Sequence, residues 1–132
     1  NGGATVLAYL GELDALAAMV AAANTPDLGE TATRLAESLE HLRTATLWLQ
    51  EKVSSDPDAA LAGATPYLEL FGLAASGTHL AAGALAANGN AQVHAETARF
   101  FAENLMPKTS GLLTAITSGA DALRAADVAL RT

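Results

Sequence analysis

The three histidines and the carboxylates near them are the residues of this sequence that could support metal binding or acid–base catalysis. A carboxylate-bridged di-iron site in a helical bundle uses a Glu three residues before a His. The residues at that spacing are Ser38 before His41, Ser76 before His79 and Ala91 before His94. The spacing therefore predicts no di-iron site.

Two charged clusters have the spacing of neighbours on one helix face. They are Glu37, Glu40 and His41, and Glu96, Arg99 and Glu103. Side chains three or four residues apart on a helix form surface ion pairs, and this is the ordinary role of such clusters. We find no zinc-protease, P-loop, dinucleotide or nucleophile-elbow motif either. We therefore predict no catalytic, cofactor-binding or metal-binding residue.

Composition excludes several partner classes. Seven basic against fourteen acidic residues give a net charge of -7, without any basic cluster, so nucleic acid would be repelled. Cysteine is absent, which excludes disulfides and thiolate metal sites and fits a cytoplasmic protein. Charged residues interrupt the apolar runs, and we expect no membrane-spanning segment.

Length and composition predict a single folded domain. The chain has 132 residues, of which 51% are hydrophobic and 16% charged, enough to build one core. It begins at Asn1 without an initiator Met, so we interpret residues 1–132 as one accessory domain from a larger protein.

Helical periodicity, separated by turn signals, predicts an all-α fold. The four expected helices run over residues 3–23, over a heptad stripe from Leu28 to Val53, from about Asp58 to Ala87, and from about Ala91 onward. Connections this short favour antiparallel neighbours, so we predict an up-down-up-down four-helix bundle.

Local breaks are expected at four places. Ser55 and Asp58 resemble a capping box at the start of the third helix. Pro66 predicts a kink or a restart of that helix near Ala64, and Pro107 predicts another in the fourth. Gly119 is expected to end the fourth helix, leaving a last turn or two.

The third helix has two different faces. At about 100° per residue, one stripe forms the expected core face: Tyr67, Phe71, Ala74, Thr78, Ala81 and Leu85. The opposite face carries Gly72, Ser76, His79 and Gly83, and Glu69 is the only charge between Asp58 and Glu96. Because a bundle of this size covers one side of each helix, we predict an interface with an outside partner on this face.

Three ordered motifs resemble a known family. They are Pro66 to Gly72 (PYLELFG), Ala98 to Pro107 (ARFFAENLMP) and Ala115 to Ala120 (AITSGA). In this order they are similar to the C-terminal domain of bacterial acyl-CoA dehydrogenases, in the subgroup that includes 3-methylmercaptopropionyl-CoA dehydrogenase. The sequence departs from that pattern at His94, where a lysine is expected.

The resemblance implies a parent flavoenzyme of fatty acid metabolism that oxidises an acyl-CoA thioester between its α and β carbons. FAD accepts the hydride and a glutamate removes the α proton in that family. The family places this machinery in the preceding domains, so no catalytic or cofactor-binding residue is expected in this chain. The implied partners are the remaining domains of the parent, with a homo-oligomer also possible.

Two alternatives to this accessory-domain reading stay open. The first is a free-standing helical interaction protein that self-associates through Gly72, Ser76, His79 and Gly83. The second is a ligand-binding bundle with His79 in its pocket, which is disfavoured because His79 is the only titratable group there.

Overall fold

A computed structural model of the chain describes residues 2–132. Within these residues the fold is all-helical, with five α-helices and one short 3₁₀ helix. The α-helices are α1 (Gly2–Ala23), α2 (Thr31–Ser55), α3 (Pro57–Ala86), α4 (Ala91–Asn104) and α5 (Lys108–Arg131), and the 3₁₀ helix is Pro26–Leu28. The predicted all-α class is confirmed.

Left-handed residues and prolines end the helices where the sequence indicated. Asn24 follows α1 with a φ of 47°, and Pro26 opens the 3₁₀ helix. Gly89 and Asn90, with φ of 68° and 51°, reverse the chain between α3 and α4. These conformations suit Gly and Asn, which tolerate positive φ better than other residues.

The expected restart of the third helix at Pro66 and the expected helix end at Gly119 are wrong, whereas the kink at Pro66 stays a prediction. α3 is continuous from Pro57 to Ala86 with Pro66 inside it, so the helix does not restart there. α5 runs through Gly119 to Arg131 rather than ending at that glycine. Near Pro107 the chain does leave the helix, between Asn104 and Lys108. The described residues thus form five α-helices rather than four, and the four-helix bundle stays a prediction.

The junction between α2 and α3 differs from the predicted capping box. Asp56 caps α3, because its Oδ1 accepts a hydrogen bond from the backbone N–H of Ala59 at 3.4 Å. The Ser55 hydroxyl instead donates back to the Glu51 carbonyl at 3.0 Å. One residue therefore separates two long helices, which forces them to fold back on each other.

α2 and α3 form the centre of the domain, and both pack against α1, α4 and α5. α1 packs chiefly on α2 and α3. The α2–α3 pair is antiparallel, since Thr46 meets Tyr67 while Leu49 lies near Gly63. α1 and the α4–α5 segment therefore both pack on the same antiparallel helix pair.

Two apolar clusters form the core. The first joins α1, α2, α3 and α5 around Leu10, Leu13, Leu39, Leu42, Ala45, Leu70, Ala74 and Ile116. The second joins α1, α2, α3 and α4 around Val20, Leu28, Leu35, Ala81, Ala95, Ala98, Ala102 and Met106. The predicted core face of α3 is confirmed, with Ala74, Thr78 and Ala81 buried and Tyr67, Phe71 and Leu85 packed at its margin.

Two buried glycines set the close approach of α3 to the segment beyond α4. A Cβ at Gly63 would lie 3.1 Å from Cγ2 of Ile116. A Cβ at Gly77 would overlap the side chain of Met106, which is itself only 1% exposed. These glycines serve packing within the domain, unlike Gly72 and Gly83, which face open space.

α1 is unusually apolar for a helix on the flank of a domain. By length and composition alone, Gly3–Ala23 is the one helix in the described part of the chain that could cross a membrane, with a mean hydropathy of 1.6. The expected interruption by charged residues is present here as Glu12 and Asp14, and the absence of a membrane-spanning segment stays a prediction. Glu12 and Asp14 lie at its middle, where each charge would cost about 2.5–3.5 kcal/mol in a bilayer. We interpret α1 as a packing helix.

Candidate interaction surface

The two central helices expose outer faces of opposite character. The outer side of α2 carries Glu37, Glu40 and Glu51, with Arg34 and Arg43 at its edges. This is an ordinary solvent face. The outer side of α3 carries a single charge between Asp58 and Glu96, that of Glu69. An exposed helix side this poor in charge is typical of a contact surface.

The exposed α3 side and the adjoining edge of α1 form one surface, which we call the α1–α3 face. Its members are Glu12 and Met19 of α1 and Leu61, Leu68, Glu69, Gly72, Ser76, His79 and Gly83 of α3, all exposed. Leu61 is 77% exposed, Leu68 70% and Met19 55%. The four residues predicted as an interface therefore lie together on an open surface, and their binding role stays a prediction.

An aromatic contact fixes α1 beside α3 at the edge of this face. The Tyr9 hydroxyl and Nε2 of His79 share a hydrogen bond of 2.8 Å. The Tyr9 ring also stacks on Phe71, with ring centroids 5.8 Å apart. His79 is exposed rather than enclosed, so the structure does not support the hypothesis of a ligand pocket around His79. Its role in the structure is to join the two helices.

Charge is segregated among the helices. α1 and α3 contain no Lys or Arg, and all seven basic residues belong to α2, α4 and α5. Six of these seven form ion pairs with carboxylates: Arg34, Arg43, Lys52, Arg99, Arg124 and Arg131. Among the described residues Glu12 and Glu69 have no ion-pair partner. The α1–α3 face is therefore apolar with a negative edge.

The cluster around His41 is structural. The Thr109 hydroxyl is 2.9 Å from Nδ1 of His41 and 3.2 Å from Oγ of Ser38. Ser38 and Thr109 are each only 1% exposed, so neither hydroxyl is accessible to a substrate. These hydrogen bonds connect the middle of α2 to the start of α5. Sequence spacing missed them because Thr109 is distant along the chain.

The second charged cluster holds the turn before α2. The Oε2 atom of Glu103 accepts a hydrogen bond from the backbone N–H of Glu30 at 3.0 Å, and Arg99 donates to the same carboxylate at 3.1 Å. The hydrogen bond from Glu30, with that from Arg99, lowers the pKa of Glu103 below its ordinary 4.5. Gly29 lies beneath this pair with a φ of 52°. Glu103 thus caps α2 from another helix.

A second ion pair, between Arg124 and Asp56, connects α5 to the start of α3. Nη2 of Arg124 donates to Oδ1 of Asp56 at 2.6 Å. This hydrogen bond, aided by that from Ala59, lowers the pKa of Asp56 below its ordinary 3.8, and the same pairing raises the pKa of Arg124. The carboxylate therefore serves both as the α3 cap and as the anchor of α5.

Comparison with family models identifies the chain. Residues 9–127 match the family described as "Acetyl-CoA dehydrogenase C-terminal like". The chain belongs to this family. No curated protein and no solved structure matches the chain. The match covers all five helices at least in part and supports the resemblance to the C-terminal domain of acyl-CoA dehydrogenases.

The motifs that carry the family resemblance include both buried and exposed residues. Leu70 and Ile116 are fully buried in the first cluster, and Met106 belongs to the second. Arg99 pairs with Glu103, and Glu103 accepts a hydrogen bond from the backbone N–H of Glu30 in the turn before α2. In this acyl-CoA dehydrogenase C-terminal-like domain, these buried and ion-paired motif residues contribute to packing, and no arrangement of nucleophile and base is present among the described residues.

FAD, the cofactor that the family implies, does not fit the α1–α3 face. Its diphosphate requires cations or an array of backbone N–H donors. The two helices of this face carry no Lys or Arg, and their free charges are carboxylates. Among the described residues, no group of three or more His, Asp and Glu side chains could hold a metal.

Proposed function

We propose that this chain is an accessory helical domain of an FAD-dependent acyl-CoA dehydrogenase and that its α1–α3 face packs on the remaining domains of that enzyme or on a neighbouring subunit. The observation that carries the proposal is the charge-poor outer side of α3, where Glu69 is the only charge after Asp58, in a domain whose other central helix has an ordinary charged outer side. Family membership supplies the parent.

The finer assignment follows the sequence resemblance. We infer a parent of the subgroup similar to 3-methylmercaptopropionyl-CoA dehydrogenase, located in the cytoplasm and acting in fatty acid metabolism. The parent oxidises the α,β-bond of an acyl-CoA thioester, and FAD and the catalytic base belong to its other domains. In this proposal the present domain contributes contacts rather than chemistry.

The helix directions support the predicted up-down-up-down arrangement in a modified form. α3 and α5 are antiparallel, because Gly63 meets Ile116 while Gly77 meets Met106. We propose that α4 and α5 together take the place of the fourth helix, with the break near Pro107 between them. A kink of α3 at Pro66 remains part of this proposal, since Pro66 cannot donate the hydrogen bond that its helical position requires.

Bulky substitution of the α1–α3 face tests the packing role. In the full-length parent enzyme, Gly83→Leu should weaken assembly or solubility, whereas the isolated domain should remain helical by circular dichroism. Gly111→Leu is the matched control, because both are exposed helical glycines with no atom within 4 Å of an added Cβ. Equal assembly and activity of the two variants and the natural enzyme would refute the proposal.

Self-association through Gly72, Ser76, His79 and Gly83 is the second candidate function. The exposure of all four residues on one surface is the observation that favours it. Analytical ultracentrifugation of the isolated 132-residue chain separates the two. A dimer that Gly83→Leu dissociates supports self-association, and a monomer at all concentrations supports the accessory-domain role.

A further inference from the structure

We propose that the partner of the α1–α3 face is a helix with apolar and small residues along its centre and Lys or Arg at its edge, rather than a second copy of this chain. This inference rests on the proposed function and specifies its partner. The inference depends on two observations: the face carries the carboxylates Glu12 and Glu69, and α1 and α3 contain no Lys or Arg.

Two of the carboxylates without a described ion pair, Glu12 and Glu69, lie on the face itself. Glu12 comes one turn after Tyr9, which contacts α3 through His79 and Phe71, so Glu12 projects from the side of α1 next to α3. Glu69 lies three residues before Gly72 and therefore on the same side of α3. Both carboxylates are exposed. The apolar centre of the face thus has negative charges beside it.

The domain has little cationic capacity left to neutralise these carboxylates. Asp14, the other acid within α1, pairs with Arg43 of α2. Of the basic side chains only Lys108 has no described ion-pair partner, and it lies at the start of α5 rather than on α1 or α3. Any cation that pairs with Glu12 or Glu69 would therefore come from outside the domain.

A second copy of the same face would supply the wrong charge. Symmetric pairing of two α1–α3 faces brings four carboxylates into one interface, and neither α1 nor α3 provides a Lys or Arg to pair with them. Like charges placed against each other suppress association, whereas complementary charges favour it and fix the register. The charge pattern consequently disfavours self-association and favours a basic partner.

The shape of the face suits a helix. Neither Gly72 nor Gly83 has any atom within 4 Å of an added Cβ, so the α3 backbone is open to close approach at these two positions, three turns apart. Leu61, Leu68 and Met19 provide the apolar area around that line. Small residues in the middle and larger apolar residues beside them form a surface into which helix ridges can pack.

A membrane surface is the main competing occupant, because α1 is long and apolar enough to be considered. Anionic lipid headgroups would face Glu12 and Glu69 with like charge, and the net charge of the chain is -7. The same features that favour a basic helix therefore disfavour a lipid surface. The experiment below therefore also measures binding of the chain to lipid vesicles.

Fluorescence anisotropy with two labelled synthetic peptides tests this partner. Each is an alanine–leucine helix of about 20 residues, long enough to form a helix, with Lys at its edges in one peptide and Glu in the other. The 132-residue chain should bind the Lys peptide at least about tenfold more tightly than its Glu twin. Glu12→Gln and Glu69→Gln should each weaken Lys-peptide binding about two- to fivefold, the range of an exposed ion pair.

Glu96→Gln is the matched control for general attraction to an acidic protein. Glu96 is also an exposed carboxylate without an ion pair among the described residues, but it lies on α4. Its substitution should change Lys-peptide binding by less than either face substitution. Equal effects of all three, equal affinity for both peptides, or binding of neither would overturn the inference.

Further outcomes separate this inference from the proposed function. If Gly83→Leu abolishes assembly of the parent but the peptides bind equally, the face is an interface and the inferred basic partner is wrong. Binding of the chain to phosphatidylcholine or phosphatidylserine vesicles in place of the Lys peptide would identify a lipid surface instead. A dimer that Gly83→Leu dissociates would identify a second copy, and either result overturns the inference.

Discussion

Gly77→Ala is expected to destabilise the domain, although alanine is the better helix former. Gly77 lies in the buried side of α3, and an added Cβ would overlap the Sδ, Cε and Cγ atoms of Met106. Met106 is 1% exposed and packs in the cluster that includes Leu35, Ala81 and Ala102. Sδ and Cε of Met106 must therefore move to admit the new Cβ, and the neighbours that bury them have to give way as well.

The magnitude follows from comparing two glycines of the same helix. Replacing a helical Gly by Ala stabilises by about 1 kcal/mol when nothing else changes, which is the expectation for Gly83→Ala because no atom lies within 4 Å of its added Cβ. Gly77→Ala gains the same propensity but adds overpacking, which costs about 1–3 kcal/mol. The two variants should therefore differ in unfolding free energy by about 1–3 kcal/mol.

Urea denaturation followed by circular dichroism measures this difference. With ordinary urea dependence for a domain of this size, the midpoint of Gly77→Ala should lie about 1 M below that of Gly83→Ala. Gly72→Ala serves as a second exposed control and should resemble Gly83→Ala. If Gly77→Ala is as stable as these two, Met106 moves aside without cost and close packing does not explain the glycine.

Three further outcomes are expected. Thr109→Val should destabilise by about 1–3 kcal/mol in urea denaturation, because it leaves the Ser38 hydroxyl buried without its partner, whereas exposed Thr97→Val should change little. Tyr67→Phe should cost about 0.5–1.5 kcal/mol by the same assay, since the Tyr67 and Thr46 hydroxyls share a hydrogen bond of 2.8 Å. The lowered pKa values of Asp56 and Glu103 stabilise the fold above their unfolded values of 3.8 and 4.5, so the melting temperature should fall as the pH drops through and below this range. Glu103→Gln should flatten that acid dependence, and an unchanged slope would show that the Glu30 cap is not the cause.

Local chemistry made the helix ends predictable. Asn24 with Pro26, and the Asn88 to Asn90 turn, are strong stop signals, and the observed helices end beside them. The absence of a helix restart at Pro66 and of a helix end at Gly119 has one physical reason. Both lie in helices packed on α2 or on each other, and tertiary packing offsets the local cost of a proline or glycine. Helix propensity predicts the local cost of a proline or glycine, but it does not include the tertiary packing that offsets this cost.

The two roles of glycine in α3 could be only partly separated from the sequence. Periodicity placed Gly72 and Gly83 opposite the core stripe, and they are exposed. Gly77 received no role, because its contact with Met106 depends on where the chain turns after α4. The Tyr9 to His79 hydrogen bond was equally unpredictable, since it joins residues 70 positions apart. Contacts between distant segments require the fold.

The α1–α3 face could not be predicted from the sequence alone, because it depends on α1 and α3 lying side by side. That residues 2–23 and 57–86 contain no Lys or Arg can be read directly from the sequence, yet helices can lack cations for many reasons. The structure places these two helices side by side and joins them through Tyr9 and His79, while α2 presents charged residues on its own outer side. The apolar sides of α1 and α3 thereby merge into one surface whose free charges, Glu12 and Glu69, are negative. A surface of that kind discriminates between partners by charge as well as by shape, so a basic helix can bind where a second copy is repelled.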